Sequence, residues 1–343
     1  MSESQRRLQR VERSLATRPP HPAPGGSPAA FPHVLEFVTD PRFLGRKLYP
    51  RQATLLKILT LAVDLLTEYD LDVIGRWEAE FALNLDGAPR YVGDTGTSPG
   101  TLQRMQHNRD AGRRWFREIV LVLGRRAGKG FLTSCLTAYQ LWWLLSLHDP
   151  QSVLGLERTK QLALMVFGTE KESATFNLFG DIREMVTSAE CFAPYLDKVT
   201  TSALRLFTPE QQDRLSSRPG SREQGRIVVD ARATTSTAGR GPAGLGLFLD
   251  EMAHMPGPGL ARSGDEVYAS ASPALAQFPT HALTVMTSSP REQIGEFHAA
   301  YLRALAAHPD GAPRDPGAIT FQLPSWNLYE DWRLTLPNNG GAR

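Results

Sequence analysis

Cysteine is scarce in this sequence. Its 343 residues contain two, Cys135 and Cys191, far apart and outside any C-x-x-C spacing. That excludes a disulfide-stapled scaffold and a cysteine zinc site, and it fits a reducing compartment. Net charge is also small, +2, so no global basic field announces nucleic acid, and any such contact has to be a local patch. The first thirty residues lack the apolar segment of a signal peptide. One uncharged run, Gly130 to Leu147, reaches the length of a short membrane span. Thr133, Ser134, Thr137, Tyr139, Gln140 and Ser146 dilute it, so a helix buried inside the protein is expected instead.

What is present is an ordinary folded composition, 41% apolar and 22% charged. The length allows one large α/β domain with appendages, or two modest domains. The chain is organised around Glu118 to Ser134, E-I-V-L-V-L-G-R-R-A-G-K-G-F-L-T-S. An apolar run, Ile119 to Leu123, breaks into a glycine-bracketed turn, Gly124 to Gly130, and an apolar helical pattern follows. This is the strand, loop and helix order of a phosphate-binding loop. Glycines let backbone N–H groups approach a triphosphate closely, Lys129 reaches its β/γ-phosphates, and the positive end of the helix dipole adds to the pull. The usual spacing is G-x-x-x-x-G-K-[ST]. Here the first glycine comes one residue late, at Gly124, and Gly130 stands where Ser or Thr is usual. The loop therefore reads Gly124, Arg125, Arg126, Ala127, Gly128, Lys129, Gly130, with Phe131 entering the helix. The bland reading is a basic turn between strand and helix.

Arginines and prolines dominate residues 1–30, and a disordered basic arm is expected there. Leu48 to Leu66 has helical spacing, with Pro50 at the helix start. Gln52 on the first turn has an amide able to read an adenine edge; a helix cap is the alternative. Residues 76–116 read as an insertion or loop region, with Asp86 to Gly100 turn-rich. The basic cluster Arg104, Arg109, Arg113, Arg114 and Arg117 is either a phosphate or DNA contact or a solvated edge. Strands are expected at Leu162 to Phe167, Arg226 to Val229, Leu245 to Leu249, Ala282 to Met286 and Ala318 to Leu323. Helices are expected from Glu170 to Val186 and from Glu296 to Ala307. Gln211 to Gln224 reads as loop. Strands alternating with helices make a parallel, doubly wound sheet, with ligands beyond the carboxyl ends of its strands.

The strand at Leu245 to Leu249 ends in Asp250 and Glu251. A carboxylate at that place suits a nucleotide-bound Mg²⁺, and its neighbour suits a base that orients a hydrolytic water. An acidic strand cap is the rival reading. Arg240, in a small-residue loop just upstream, is placed to swing onto a γ-phosphate, or is simply a surface arginine. Thr287, Ser288 and Ser289 put hydroxyls at the end of another strand, where they suit a sensor of phosphate state or merely a polar turn.

Taken together, these pieces resemble the ATPase domain of phage terminase large subunits, the DNA-packaging motors of tailed phages, over roughly Leu48 to Trp332. Gly124 to Gly130 looks like that family's deviant Walker A loop, Leu48 to Gln52 its adenine-binding motif, and Leu247 to Glu251 its Walker B motif with catalytic glutamate. Gly239 to Gly241 is similar to its Arg-Gly element, and Thr287 to Pro290 to its coupling motif. The resemblance implies a P-loop NTPase fold of the RecA/ASCE type, a doubly wound, mainly parallel sheet flanked by helices, over residues 31–332. It also implies ATP and Mg²⁺ as ligands. Lys129 and Arg126 would then hold phosphates, Asp250 the metal, Glu251 the water and Arg240 the transition state, with Thr287 to Ser289 coupling hydrolysis to movement. Double-stranded DNA, a small terminase subunit, a portal protein and a homo-oligomeric ring follow as partners, in the bacterial host cytoplasm. No nuclease domain is expected in this chain, and residues 333–343 read as a frayed tail. Two rivals stay open: a helicase-like nucleic-acid ATPase, and a nucleotide-binding or scaffold subunit weakened by Gly130.

Overall fold

The computed structural model describes residues 31–85, 96–169, 177–218, 223–232, 243–256 and 263–329. The expected N-terminal arm, Arg240 and the C-terminal tail lie outside the described residues. In chain order the described elements begin with helices α1 (Val34–Thr39), α2 (Pro50–Leu59) and α3 (Glu68–Leu85), strand β1 (Gly96–Thr97) and helix α4 (Thr101–Asp110). Then come β2 (Glu118–Leu123), α5 (Lys129–Ser146), β3 (Leu162–Phe167), α6 (Leu178–Ser188), the hairpin β4 (Leu196–Val199) and β5 (Ala203–Leu206), and α7 (Pro209–Ser217). The rest is β6 (Ile227–Arg232), β7 (Ala243–Leu249), α8 (Gly264–Ala276), β8 (Leu283–Ser288), α9 (Gly295–Leu305) and β9 (Ala318–Leu323).

The strands form one sheet in the order β1-β9-β2-β8-β7-β3-β6-β5-β4. The six from β9 to β6 are mutually parallel, and β1, β5 and β4 add antiparallel edges. Every residue of β2, β3 and β8 is buried, as continuous apolar runs require when helices cover both faces. Both faces can be identified on β7. A Cβ at Gly246 would meet Gln140 of α5, whereas one at Gly244 would meet Ala274 and Leu275 of α8. Two residues apart normally share a face; the register shift against Ala163 and Leu164 leaves Leu245 as an extra residue between them. Gln140, fully buried in an apolar helix, donates to the Leu245 carbonyl at 3.0 Å.

This topology fixes the site. β8 lies between β2 and β7, and its end is in register with both. Leu121 pairs with Thr287, Val122 with Ser288, and Leu249 with Met286. The phosphate loop, the acid pair and the hydroxyl run thus leave the same edge of the sheet together.

Several elements differ from the sequence expectation. Helix α2 stops at Leu59 rather than Leu66, because Leu61 takes a left-handed φ of 56° and a 3-10 turn follows. Residues 209–217 are helix rather than loop. Thr208 and Gln211 form a capping box and Pro209 takes the first helical position, a signal that the polar composition concealed. Residues 76–116 hold most of α3, β1 and α4, with β1 hydrogen-bonded to β9. Arg104 is fully buried there, and its guanidinium donates to the carbonyls of Pro99, Ala304, Asp315 and Ala318. Arg109 pairs with Asp64 and Arg117 with Asp315, so these three arginines of the basic cluster are held by the protein itself. Among the described residues no helix is long and apolar enough to cross a membrane. The uncharged stretch after Gly130 is α5, buried within the core.

Candidate functional site

The loop between β2 and α5 closes as a turn, with the Ala127 N–H on the Gly124 carbonyl at 3.2 Å. Gly128 caps α5 with φ 84°, a left-handed conformation open to glycine. A Cβ there would also come within 3.0 Å of the Gln52 amide nitrogen. Gln52 therefore lies against the phosphate loop, while its carbonyl oxygen accepts from the Tyr49 N–H at 3.3 Å. Gln52 thus caps α2 and lies beside Gly128 of the loop. Arg125 and Arg126 are exposed, and Arg126 holds a left-handed φ of 63°. Ala127 is buried, and Phe131 packs partly against the core.

Lys129 begins α5 and is nearly buried. Its ammonium donates to the Leu123 carbonyl at 3.3 Å and lies 3.3 Å from Glu251 Oε1. Asp250 leaves β7 held by its own N–H on the Phe167 carbonyl at 2.9 Å. Thr287 Oγ1 donates to Asp250 Oδ1 at 2.8 Å. Glu251 takes a left-handed φ of 50°, which ends the strand. Glu251 Oε2 accepts from Ser288 Oγ at 3.3 Å, the Ser289 N–H at 3.2 Å and Ser289 Oγ at 3.3 Å. The three hydroxyl residues expected at the end of β8 therefore grip both acids.

The two carboxyls are set apart electrically. Burial raises Asp250, the neighbouring Glu251 charge adds to that, and the Thr287 hydrogen bond and Lys129 only partly offset it. Burial also acts to raise Glu251, but the Lys129 charge, the Ser289 N–H and His254 outweigh it and hold it below the usual carboxylate range. Glu251 is thus kept ionised, and Asp250 is a carboxyl that a cation would stabilise as carboxylate.

For Mg²⁺ the donor set is one strand-end carboxylate, with phosphate oxygens and water left to complete the shell, which suits a cation that keeps several waters. Gly130 supplies no hydroxyl. A Cβ at that position would lie 3.1 Å from Asp181 Oδ2, a carboxylate on the first turn of α6. Thr133 and Ser134, one turn further on, are buried, and their hydroxyls have no hydrogen-bond partner among the described residues.

Sequence reasoning missed four residues. His254 Nε2 lies 2.9 Å from Ser289 Oγ and 3.7 Å from Glu251 Oε2; its place four residues after Asp250 was the available signal. Asp181 carries no local signal. Ser325 and Tyr329, given no role in the sequence, bond to the carbonyls of Arg125 and Arg126.

The family model described as "Uncharacterized protein MJ0330, N-terminal P-loop domain" matches residues 92–328. No curated protein sequence matches the chain. Two solved structures of the Thermus phage P74-26 large terminase ATPase domain are similar at 15% identity. For an arginine-to-alanine mutant the match covers 78% of this chain and 90% of that one, with a TM-score of 0.46. For the other it covers 79% and 94%, with a TM-score of 0.43.

Proposed function

We propose that this chain, which belongs to the P-loop domain family described above, hydrolyses ATP to translocate double-stranded DNA as the motor part of a phage terminase large subunit. The observation that carries the reading is the closure of the site. Lys129, from the loop after β2, meets Glu251 at the end of β7, while Thr287 at the end of β8 holds Asp250. The order of motifs along the chain supports the terminase assignment within this fold.

In this reading the loop N–H groups, Lys129 and Arg126 bind the phosphates. Gln52 lies on the base side of the loop. Asp250 would hold Mg²⁺, which supplies charge neutralisation at the β- and γ-phosphate oxygens when bound. Glu251, kept ionised by Lys129 and Ser289, accepts a hydrogen bond from the attacking water and orients it in line with the γ-phosphate. Once ATP recruits Lys129, Glu251 keeps its three contacts to Ser288 and Ser289, so a change in phosphate state is passed to β8 and the segment beyond it. Arg240 acts on the transition state. A homo-oligomeric ring, a small terminase subunit and a portal protein in the host cytoplasm belong to the same proposal.

Glu251→Gln tests it. The variant binds ATP but turns it over at least 100-fold more slowly, with or without DNA. Wild-type hydrolysis in that variant removes Glu251 from the proposed role. Gly130 favours one second reading, a nucleotide-binding subunit without turnover; retained ATP binding with no DNA-stimulated hydrolysis in the wild type would select it.

A further inference from the structure

After β9 the chain crosses back over the phosphate loop. Gly124 N–H donates to the Leu323 carbonyl at 3.1 Å, and Pro324 leads into the turn Ser325–Leu328. Ser325 Oγ donates to the Arg125 carbonyl, and the Tyr329 hydroxyl donates to the Arg126 carbonyl. The approach is close enough to dictate a residue: a Cβ at Gly124 would fall 2.6 Å from Ser325 Oγ and 2.9 Å from its backbone nitrogen. The late first glycine of the loop is thereby explained by what lies on top of it.

The same segment also holds the start of α2. Arg51 Nη1 donates to Asn327 Oδ1 at 3.2 Å, and the Tyr329 ring meets the Tyr49 ring edge-on, with centroids 4.8 Å apart. Tyr49 is half exposed, and its N–H bonds to Gln52, which lies against Gly128. Tyr329 thus stands where the phosphate loop and the Gln52 element meet, with its hydroxyl on one and its ring on the other.

We propose that Ser325 to Tyr329 is a positioning strap of the nucleotide site. Its hydroxyls fix the carbonyls of the loop, and the Tyr329–Tyr49 pair forms the wall that receives the purine base. The proposal rests on the nucleotide-binding reading above. Arg126 is a non-glycine residue held at positive φ, a conformation that persists only when its surroundings impose it. The Tyr329 hydroxyl supplies such a constraint, turning the Arg126 carbonyl outward and leaving the loop N–H groups for phosphate.

Equilibrium binding of ATP and of inorganic tripolyphosphate to the full chain separates the two halves of Tyr329. Tyr329→Phe keeps the ring and is expected to weaken both ligands alike, by about fivefold, the effect of one hydrogen bond. Tyr329→Ala is expected to weaken tripolyphosphate no further than Tyr329→Phe, yet to reduce the preference for ATP over tripolyphosphate about tenfold, the loss of one base–aromatic contact. Tyr49→Ala should reduce that preference without affecting tripolyphosphate. Thermal unfolding of each variant guards against misfolding, and Ser325→Ala provides a milder test of the loop half. If the wild type binds both ligands and these variants bind them unchanged, the strap proposal is overturned. If the wild type binds neither, the nucleotide reading falls and takes the strap with it.

Discussion

The Lys129 ammonium lies 3.3 Å from Glu251 Oε1, joining the first residue of α5 to the residue that follows the strand-end aspartate. Without a phosphate, the loop lysine is neutralised by the very carboxylate proposed to orient water. Lys129→Met therefore removes two things, the charge that binds phosphate and the partner that keeps Glu251 ionised. ATP affinity measured by calorimetry is expected to fall at least tenfold. Unchanged affinity would mean that Lys129 is only an internal counter-ion.

The acid pair makes a prediction about pH with opposite signs for its two members. Asp250 is raised, so its ionisation costs stability as pH climbs through its folded pKa. Glu251 is lowered, so its contribution is full above its unfolded pKa and is lost as pH falls through the folded one. In EDTA at pH 7, Asp250→Asn should raise Tm and Glu251→Gln should lower it. Both differences should shrink as pH falls through the carboxylate range. Tm shifts of the same sign for the two variants would contradict this electrostatic arrangement.

Gly130→Ser restores the hydroxyl that a phosphate loop usually offers to Mg²⁺. The added Cβ comes to 3.1 Å from the end of an exposed aspartate side chain, which can swing aside. Tm is expected to stay within about 1 °C of wild type, since glycine is the poorer helix former of the two. The Mg²⁺ concentration needed for half-maximal ATP binding should fall about threefold or more, as one ligand to a hard cation is added. An unchanged Mg²⁺ dependence would show that the shell is already complete without it.

His254 meets Ser289, which donates to Glu251. His254→Ala is expected to lower kcat about tenfold, the scale of one lost hydrogen bond to a charged network, with KM for ATP within twofold. His254→Asn, which can still reach Ser289, should recover part of the loss. Equal changes in kcat and KM would instead mean that the residue shapes binding.

Away from the site, Thr208→Ala removes the cap of α7. It should cost about 1 kcal/mol and lower Tm by about 1–2 °C, leaving ATP binding intact.

Much of the site could be read from the chain because its chemistry is local. Ile119 to Lys129 carries its apolar strand, its glycines and its lysine within a dozen residues, and Leu247 to Glu251 does the same for the acids. The parallel order also followed, since apolar runs alternating with helices leave few other arrangements. The contacts that escaped notice join distant segments. Ser325 reaches Arg125 across 200 positions, and nothing near either residue marks the meeting. Arg104 resembled the other arginines of its cluster in sequence, yet it alone is wholly enclosed by carbonyls; composition cannot tell a clasp from a patch. Helix α7 was hidden for a different reason. Its polar residues suggested loop, and the T-P-E-Q start that specifies a capped helix was outweighed by them.

The bond from Gln140 to the extra residue of β7 has a dimensional consequence. From Lys129 to Gln140 is eleven helical residues, about 16 Å of rise; from Leu245 to Asp250 is five strand residues, about 16–17 Å. The two arms are matched in length, tied at the far end by Gln140 and the Leu245 carbonyl and at the near end by Lys129 and Glu251. The lysine therefore arrives opposite the acids by measurement, as the fourth corner of a closed frame. Adding one residue to β7 beyond Leu245 would carry the acids about 3 Å past the lysine and turn them to the other side of the sheet.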